Sequence, residues 1–380
     1  MIVGRYQVAL QPRQTRSASS AALAALLAIA LALVLASALF ASSEAGVLAG
    51  YRVVFSYAFF NPHGAAATAH RAVYLLLCTY AFLLPLRAGL WNIGLPGQVY
   101  AGALAAFAVP LALGMSREAA GGWPPGVVIA LMALAAAASG AAVGSLAGAL
   151  RARLQVNEIL VTMMLNSILF WLVSFMIKEG GPLMGATAEG ESFTLPAALR
   201  APLVAGLPVT AALGAAGALL IDPVLARTAL GYRIRAFGEN PQAARYGGIS
   251  PLALSLLVFA VGGASAGLAG YHTFAAIPGL YKIPGNYGFY GDLSFYGLIT
   301  ALIARGSALA AVPIAVLLAG LSLGARFAQG MLRLPFGVDY ALLGLLMMTF
   351  VASHILDRFR VVWRRVPAGV LRPAAGTRRG

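Results

Sequence analysis

Long apolar runs separated by short polar intervals make up most of this chain. A helix needs about 20 apolar residues to cross the hydrocarbon core of a bilayer, and about ten runs reach or approach that length. The runs are 21–41, 71–90, 93–115, 126–149, 156–177, 203–224, 251–275, 290–304, 307–327 and 338–356. The pattern predicts an all-α fold, a polytopic membrane helical bundle with about ten transmembrane helices.

Two stretches near the N-terminus need separate interpretation. The run 21–41 is longer than the apolar core of a secretory signal, which takes about 7–15 residues. We therefore expect a retained first helix, with a cleaved signal peptide as the alternative. The segment 51–64 mixes aromatic and polar residues, so it is predicted to lie at the membrane interface instead of crossing the bilayer.

Composition supports the membrane assignment. The chain is 61% hydrophobic and 10% charged, with a mean hydropathy of +0.86. A soluble domain carries about 45–50% apolar and about 25% charged residues. A chain with so few charges cannot coat a water-facing surface, which excludes a soluble enzyme, a coiled coil and a disordered scaffold.

The net charge of +15 is interpreted as an orientation signal, with a lipid bilayer and not a nucleic acid as the partner. Alternation from an inside N-terminus puts both termini inside, and the inner segments then carry most of the Lys and Arg residues. The predicted organisation is an N-terminal tail 1–20, a transmembrane domain 21–356 with an inner loop 226–250, and a basic C-terminal tail 357–380.

Two predicted helices begin with the same interrupted sequence motif. Residues 92–98 read NIGLPGQ and residues 286–292 read NYGFYGD, each at the start of a predicted crossing. An odd number of crossings separates them, which predicts an inverted repeat with broken helices. Backbone N–H and C=O groups without hydrogen bonds cost free energy in lipid, so a broken helix is tolerated only inside the protein or beside water. Matched interruptions in two halves of a chain therefore point to a transporter's substrate path. The alternative is that Asn92 and Asn286 are helix N-caps at the membrane surface.

A second polar set follows in residues 156–167. Thr162 and Asn166 are four residues apart and share one helical face, which predicts a position towards the bundle interior. They line a path or join helices; the pattern leaves both open. For Glu158, close to Arg151 and Arg153, a structural role near the inner surface is favoured.

Glycines at four-residue spacing predict close helix packing. Gly140, Gly144 and Gly148 fall on one face of one helix, and Gly263 and Gly267 do so on another. Small residues at this spacing let two helix backbones approach closely in a membrane.

The inner loop between residues 222 and 250 contains a short predicted helix. Asn240-Pro241 favours a helix start, and Gly247-Gly248 can end it after Tyr246. Such a helix suits docking to a soluble partner, whereas an ordinary anchoring loop is the alternative.

The sequence contains no recognisable motif for catalysis, nucleotide binding or metal binding. There is one cysteine, Cys78, and the four histidines show no metal-ligand spacing. The chain has no G-x-x-x-x-G-K-[ST] loop, catalytic triad or paired-carboxylate motif. We expect no catalysis, no metal and no cofactor in this chain.

Three segments together resemble the permease subunits of bacterial ABC importers in the branched-chain amino acid, ribose and nucleoside group, over roughly Tyr74 to Met347. They are LWNIGLPGQ at 90–98, NEILVTMMLN at 157–166 and RIRAFGENPQAARYGGI at 233–249. The likeness is greatest to nucleoside-type or simple-sugar-type permeases. Asp292 departs from the family pattern, as does Leu95-Pro96, which replaces the common Ala-Glu.

The resemblance implies a multi-pass protein of the bacterial inner membrane that moves a small polar solute by alternating access, a nucleoside or simple sugar before a branched-chain amino acid. Implied partners are a separate ATPase subunit, which binds ATP and Mg²⁺, a second permease chain and an extracytoplasmic binding protein. The rival hypotheses are a secondary transporter driven by an ion gradient, which would need acids deep in the crossings, and a membrane scaffold.

Two sets of site residues follow from the motifs and the resemblance. The residues expected along the substrate path are Asn92, Gly94, Gly97, Gln98, Asn166, Asn286, Gly288 and Asp292. Asp292 contacts substrate or caps its helix; both options stand. The residues expected to contact the ATPase are Glu239, Asn240, Pro241, Ala243, Ala244, Arg245, Tyr246, Gly247 and Gly248.

Overall fold

A computed structural model gives the fold of the chain. It describes residues 2–3, 6–12, 18–41, 46–116, 122–178, 180–186, 190–204 and 206–365. Contacts divide the chain into two units: one combines Met1–Gly50 with Gln329–Gly380, and the other is Tyr51–Ala328.

The first unit joins segments from the two ends of the sequence. Helix α1 packs against helix α13, and strand β2 pairs antiparallel with β5, with β1 beside β2. The bounds are β1 Ile2–Val3, β2 Tyr6–Pro12, α1 Ala18–Phe40, α13 Val338–Arg358 and β5 Phe359–Arg365. The strand pairing brings the N-terminal and C-terminal segments together, which the sequence pattern did not indicate.

The second unit is almost entirely helical and contains both interrupted segments. Its helices are α2 Gly46–Phe55 (which begins in the first unit), α3 Pro62–Arg87, α4 Leu95–Ala112, α5 Pro125–Leu154, α6 Glu158–Ile177, α7 Thr210–Arg227, α8 Ala229–Glu239, α9 Pro241–Tyr246, α10 Pro251–Tyr271, α11 Gly288–Ile303 and α12 Ala308–Met331. Two π-helical segments, Ser56–Phe60 and His272–Ala276, extend α2 and α10, and β3 Leu203–Val204 pairs with β4 Leu207–Pro208.

The all-α polytopic prediction is confirmed, with the number of crossings approximate. Among the described residues, seven helices are long and apolar enough to cross a membrane, and a bent pair near the N-terminus makes up to eight. Every one of the predicted runs contains a helix, but α11 has 16 residues and the apolar part of α13 is short.

Helix boundaries differ from the apolar runs where capping chemistry decides them. Helix α3 begins at Pro62, nearer the N-terminus than the predicted run, because the Asn61 side chain accepts hydrogen bonds from the backbone N–H groups of His63 and Gly64. Helix α7 begins only at Thr210, because the first residues of its run form the β3–β4 hairpin.

The glycine ladders pack α5 directly on α10, as predicted. A methyl group on Gly140 would overlap the carbonyl oxygen of Gly263, and one on Gly263 would overlap that of Gly140. A methyl group on Gly144 would overlap the carbonyl oxygen of Phe259, and one on Gly267 would overlap that of Ala136. These are backbone-to-backbone contacts, which only a residue without a side chain permits.

The segments predicted to face the inner side lie together at one end of the second unit. The Arg87 guanidinium donates hydrogen bonds of 3.0 and 2.6 Å to the carbonyl oxygen of Gly306. Gly89 lies against Gly238, and the Asp222 carboxylate accepts a hydrogen bond of 2.8 Å from the backbone N–H of Ala308. We call this end the inner end and the opposite end the outer end.

Candidate functional site

The first interrupted segment is held by a pair of buried amides. Asn92 and Gln98 are both 0% exposed. Each side-chain NH₂ donates to the other's carbonyl oxygen at 3.0 Å, and the Asn92 NH₂ also donates to the carbonyl oxygen of Ala81 at 3.1 Å. Asn92 further accepts the backbone N–H of Gly94 at 3.2 Å. Because Gly94 occupies the N-cap position of α4, Asn92 shapes the turn before the helix and is not its cap.

Asn166 fastens the same segment to the neighbouring helix α6. Its side-chain oxygen accepts the backbone N–H of Gly97 at 2.8 Å, and its NH₂ donates to the carbonyl oxygen of Ile93 at 2.9 Å. A side chain on Gly97 would collide with Asn166, so the glycine permits this approach. Thr162, on the same face of α6, bonds to the backbone of its own helix. The structure thus brings Asn92, Gln98 and Asn166 into one network.

The second interrupted segment has a different local geometry. Helix α11 starts at Gly288 with Tyr287 as its N-cap residue, so Asn286 does not cap it. Asn286 and Asp292 are exposed. Among the described residues, no hydrogen bond joins either of them to the network around Asn92.

Aromatic side chains connect the two segments. The ring of Tyr287 packs on those of Tyr100 in α4 and Phe170 in α6, with centroid distances of 5.6 and 5.0 Å. The Tyr287 hydroxyl donates to the carbonyl oxygen of Phe170 at 2.9 Å. Gly291 lies directly against the Tyr100 hydroxyl, where any side chain would clash. The starts of α4 and α11 are therefore neighbours, separated by three aromatic rings.

The short helix α9 forms as the sequence predicts. The Asn240 side chain accepts the N–H groups of Gln242 and Ala243 at 3.1 and 3.0 Å, with Pro241 in the first turn. Gly247 ends the helix, and Gly248 follows at φ +82°, a conformation that favours glycine.

Most side chains of the predicted coupling set are exposed. Ala244 is buried and anchors α9, whereas Tyr246 is 94% exposed. Glu239, Asn240, Pro241, Ala243, Arg245, Gly247 and Gly248 are also exposed. An aromatic side chain so open to solvent contributes little to the fold of this chain, which makes it a good probe of contacts with other molecules.

A cavity of about 490 Å³ lies between α9 and the inner ends of α5 and α10. Its polar lining includes Arg151, Gln155, Gln242 and Arg245. Glu158 forms an ion pair with Arg151, with 2.9 Å between the carboxylate oxygen and the guanidinium nitrogen. The ion pair agrees with the structural role that the sequence favoured for Glu158.

A second cavity, of about 510 Å³, lies at the outer end, and sequence reasoning missed it. We call it the outer cavity; its polar and aromatic lining comprises His63, His70, Arg71, Tyr74, Thr273 and Tyr290. The sequence did hold a signal: His63 and His70 are seven residues apart on one helix, beside Arg71 in an otherwise apolar run.

Behind the outer cavity, His272 links three elements. One ring nitrogen, Nδ1, lies 2.6 Å from the Thr210 hydroxyl of α7, and the other, Nε2, lies 2.9 Å from the carbonyl oxygen of His70 in α3. His272 is fully buried in the π-helical segment that ends α10. It therefore fixes the position of that segment against α3 and α7.

Comparisons with known proteins identify the kind of protein that carries these features. The family described as "Branched-chain amino acid transport system / permease component" matches residues 64–351. The glucose ABC transporter permease protein TsgB13 of Haloferax volcanii is 30% identical over 339 residues, covering 82% of each chain.

Two nucleoside-system proteins also match. The nucleoside ABC transporter permease protein NupB of Lactococcus lactis is 30% identical over 58% of this chain and 62% of its own length. The guanosine ABC transporter permease protein NupP of Bacillus subtilis is 27% identical over 83% of this chain and 89% of its own length. No solved structure matches the chain.

Proposed function

The chain belongs to the branched-chain amino acid transport system permease family, and from this premise we propose that it moves a sugar or a nucleoside across the cytoplasmic membrane. It is a multi-pass membrane protein and the permease subunit of an ABC transporter. It is a transport subunit and not an enzyme, with the ATPase in a separate chain.

The substrate class rests on the relatives. One is named for glucose, and two are named for nucleosides or guanosine. These compounds share a ring that carries several hydroxyl groups, and we assign that chemistry to the solute. A branched-chain amino acid, suggested by the family description alone, is the second choice.

The single observation that supports coupling to an ATPase is the exposed helix α9 at the inner end. Its capping bonds fix it as a rigid element, and the Tyr246 side chain at its end is 94% exposed. The loop from Glu239 to Gly248 is proposed to dock on the ATPase subunit, which supplies the energy of ATP and Mg²⁺ chemistry. Motion of α9 would then pass to α10, which begins only a few residues later at Pro251.

The substrate path is proposed to follow the two interrupted segments. The network of Asn92, Gln98 and Asn166 satisfies backbone groups that a helix break exposes, so the chain between α3 and α4 can remain non-helical inside the protein. Gly94 and Gly97 permit the close contacts of that segment. Asn286, Gly288 and Asp292 are proposed to form the outer part of the path, at the start of α11.

The remaining assignments concern orientation and partners. Both termini are proposed to be cytoplasmic, which the pairing of β2 with β5 supports because it brings the two terminal segments together. A second permease chain and an extracytoplasmic binding protein complete the proposed importer.

Transport driven by an ion gradient is less well supported, because neither candidate acid is both buried and unpaired within a crossing. Asp292 is exposed near the start of α11. Glu158 is paired with Arg151. The Asp222 carboxylate accepts hydrogen bonds from the hydroxyl of Ser307 and from the N–H groups of Ala308 and Leu309, and so caps α12.

Substitution of Tyr246 by Ala tests the coupling assignment. Since the side chain is 94% exposed, we expect the permease to insert and unfold as the parent does. Loss of an aromatic anchor costs about 2 kcal/mol or more when it is central to an interface, which lowers affinity for the ATPase by about thirtyfold. The measurement is co-purification with the ATPase, followed by uptake into proteoliposomes.

The matched control is Phe60→Ala. It removes an aromatic side chain that is 83% exposed and lies just before the N-terminus of α3. It should leave both ATPase binding and uptake unchanged. Unaltered ATPase binding in the Tyr246 variant, with full uptake, would exclude α9 as the coupling element.

A further inference from the structure

Several helices contribute to the outer cavity, and some of them extend from it to the inner end of the unit. Its lining residues His70 and Arg71 are near the start of α3, which finishes at the inner residue Arg87. Thr273 follows α10, which starts beside the coupling loop at Pro251. Tyr290 is near the start of α11. In the proposed orientation, the cavity therefore lies on the side from which an importer receives its solute.

Two polar atoms at this cavity lack hydrogen-bond partners among the residues that the structure describes. His70 and Thr273 are 7% and 1% exposed, and neither the His70 Nδ1 nor the Thr273 hydroxyl has a hydrogen-bond partner among the described residues. A buried polar group without a partner costs about 1–3 kcal/mol. Unpaired groups of this kind are rare in folded proteins and call for a specific explanation.

The backbone explains why the Thr273 hydroxyl is unpaired. Helical threonines of this chain, such as Thr79, Thr162 and Thr300, donate to the carbonyl oxygen four residues earlier. Thr273 instead lies in the π-helical segment His272–Ala276, held in place by the contacts of His272. π-Helical turns are rare in proteins and are frequently found at functional sites.

Further groups complete the lining with both polar and apolar surfaces. Arg71 is oriented by a hydrogen bond of 2.8 Å from its guanidinium to the Ser322 hydroxyl. The Tyr74 hydroxyl donates to the backbone carbonyl oxygen of Tyr290, which fixes the Tyr74 ring as one wall. The Tyr290 ring packs on that of Phe274, with a centroid distance of 5.1 Å, and forms another wall. A cavity of about 510 Å³ with an aromatic wall and a few convergent polar groups has the size and composition of a small-molecule site.

We propose that the outer cavity binds the hydroxyl-bearing ring of the transported solute, with His70 Nδ1 and the Thr273 hydroxyl as its hydrogen-bonding partners. A ring with adjacent hydroxyl groups can donate to one and accept from the other, which satisfies both atoms at once. The ring can belong to a free monosaccharide or to the ribose of a nucleoside. This inference rests on the proposed function and adds a binding site that the interrupted segments do not include.

The test measures protection of a cysteine placed in the cavity, without ATP or any partner. The only native cysteine, Cys78, is buried, so Ala67→Cys gives one accessible thiol in the cavity wall. The full-length chain in nanodiscs is labelled with a maleimide in the presence of D-glucose or of guanosine. At a ligand concentration ten times the Kd, labelling should slow about tenfold.

Thr273→Val in the same background separates binding from folding. Valine removes the hydroxyl and keeps the shape, so the unfolding temperature should stay the same or rise, because an unpaired buried group is lost. The ligand concentration needed for protection should rise about two- to tenfold, the effect of one hydrogen bond. The control is Thr300→Val, because the hydroxyl of Thr300 donates to a carbonyl oxygen of its own helix.

The outcomes are distinct. Protection by both compounds supports recognition of a hydroxyl-bearing ring, and protection by one assigns the site to a monosaccharide or to a nucleoside. The proposal is overturned if neither compound protects the thiol. It is also overturned if the Thr273 variant and its parent are protected equally. Since no ATPase is present, these results are independent of the coupling test on Tyr246.

Discussion

Replacement of Asn92 by Leu should loosen the chain between α3 and α4. The Asn92 side chain makes four hydrogen bonds: two with Gln98, one to the carbonyl oxygen of Ala81 and one from the N–H of Gly94. Leucine is close in size but can make none of them. Among the described residues, the Gln98 side chain bonds only to Asn92, with two hydrogen bonds, so Gln98→Leu should be the milder change.

The magnitudes follow from these counts. Hydrogen bonds between side chains inside membrane proteins average about 0.6 kcal/mol, with a maximum near 1.7. Asn92→Leu should therefore lower the free energy of unfolding by about 2–4 kcal/mol and Gln98→Leu by about 1–2 kcal/mol. The double variant should lose about 1–2 kcal/mol less than the sum of the two single losses, because the two shared bonds are lost only once.

The assay is reversible unfolding in mixed micelles for the parent, both single variants and the double variant, with uptake measured in parallel. Uptake should fall in Asn92→Leu even where the folded fraction is restored by lower temperature. Strictly additive losses would refute the argument, since they would mean that the two amides do not support each other.

Three further changes test separate parts of the fold. Gly263→Ala should destabilise by about 1–3 kcal/mol because its methyl group meets the backbone of α5, whereas Gly126→Ala, with open space around it, should gain up to about 1 kcal/mol in helix propensity; thermal unfolding checks both. Asp222→Ala should cost about 1–3 kcal/mol, because three donors at the start of α12 lose their acceptor, and hydrogen exchange there should rise. Asn166→Leu should reduce uptake while ATPase binding stays intact, and full uptake would remove Asn166 from the path.

Local chemistry in the sequence was enough to predict several elements. Asn240-Pro241 and Gly247-Gly248 placed both ends of α9, because capping and the left-handed conformation depend on residues close in sequence. The glycine spacing in α5 and α10 predicted close packing, although it could not name the partner helix. Apolar length alone gave the helices but not their ends, as Asn61 and the β3–β4 hairpin demonstrate.

The sites were less accessible to sequence reasoning because they depend on residues far apart in the chain. The link from Asn166 to Gly97 spans two helices, and no periodicity records it. The unpaired hydroxyl of Thr273 arises from a π-helical turn, and a helical pattern gives no sign of that change in hydrogen bonding. Tertiary contacts determine both features.

The backbone contact between α5 and α10 has a mechanical consequence. At Gly140, Gly144, Gly263 and Gly267 backbone lies against backbone, with no side chain between the two helices to absorb a sliding movement. We therefore expect the pair to move as one rigid body. The 21 residues of α10 extend about 30 Å, from the neighbourhood of Tyr246 to that of Thr273. A displacement at one end of the pair should therefore reach the other end, which would let the pair act as a lever between the proposed ATPase-docking helix α9 and the outer cavity.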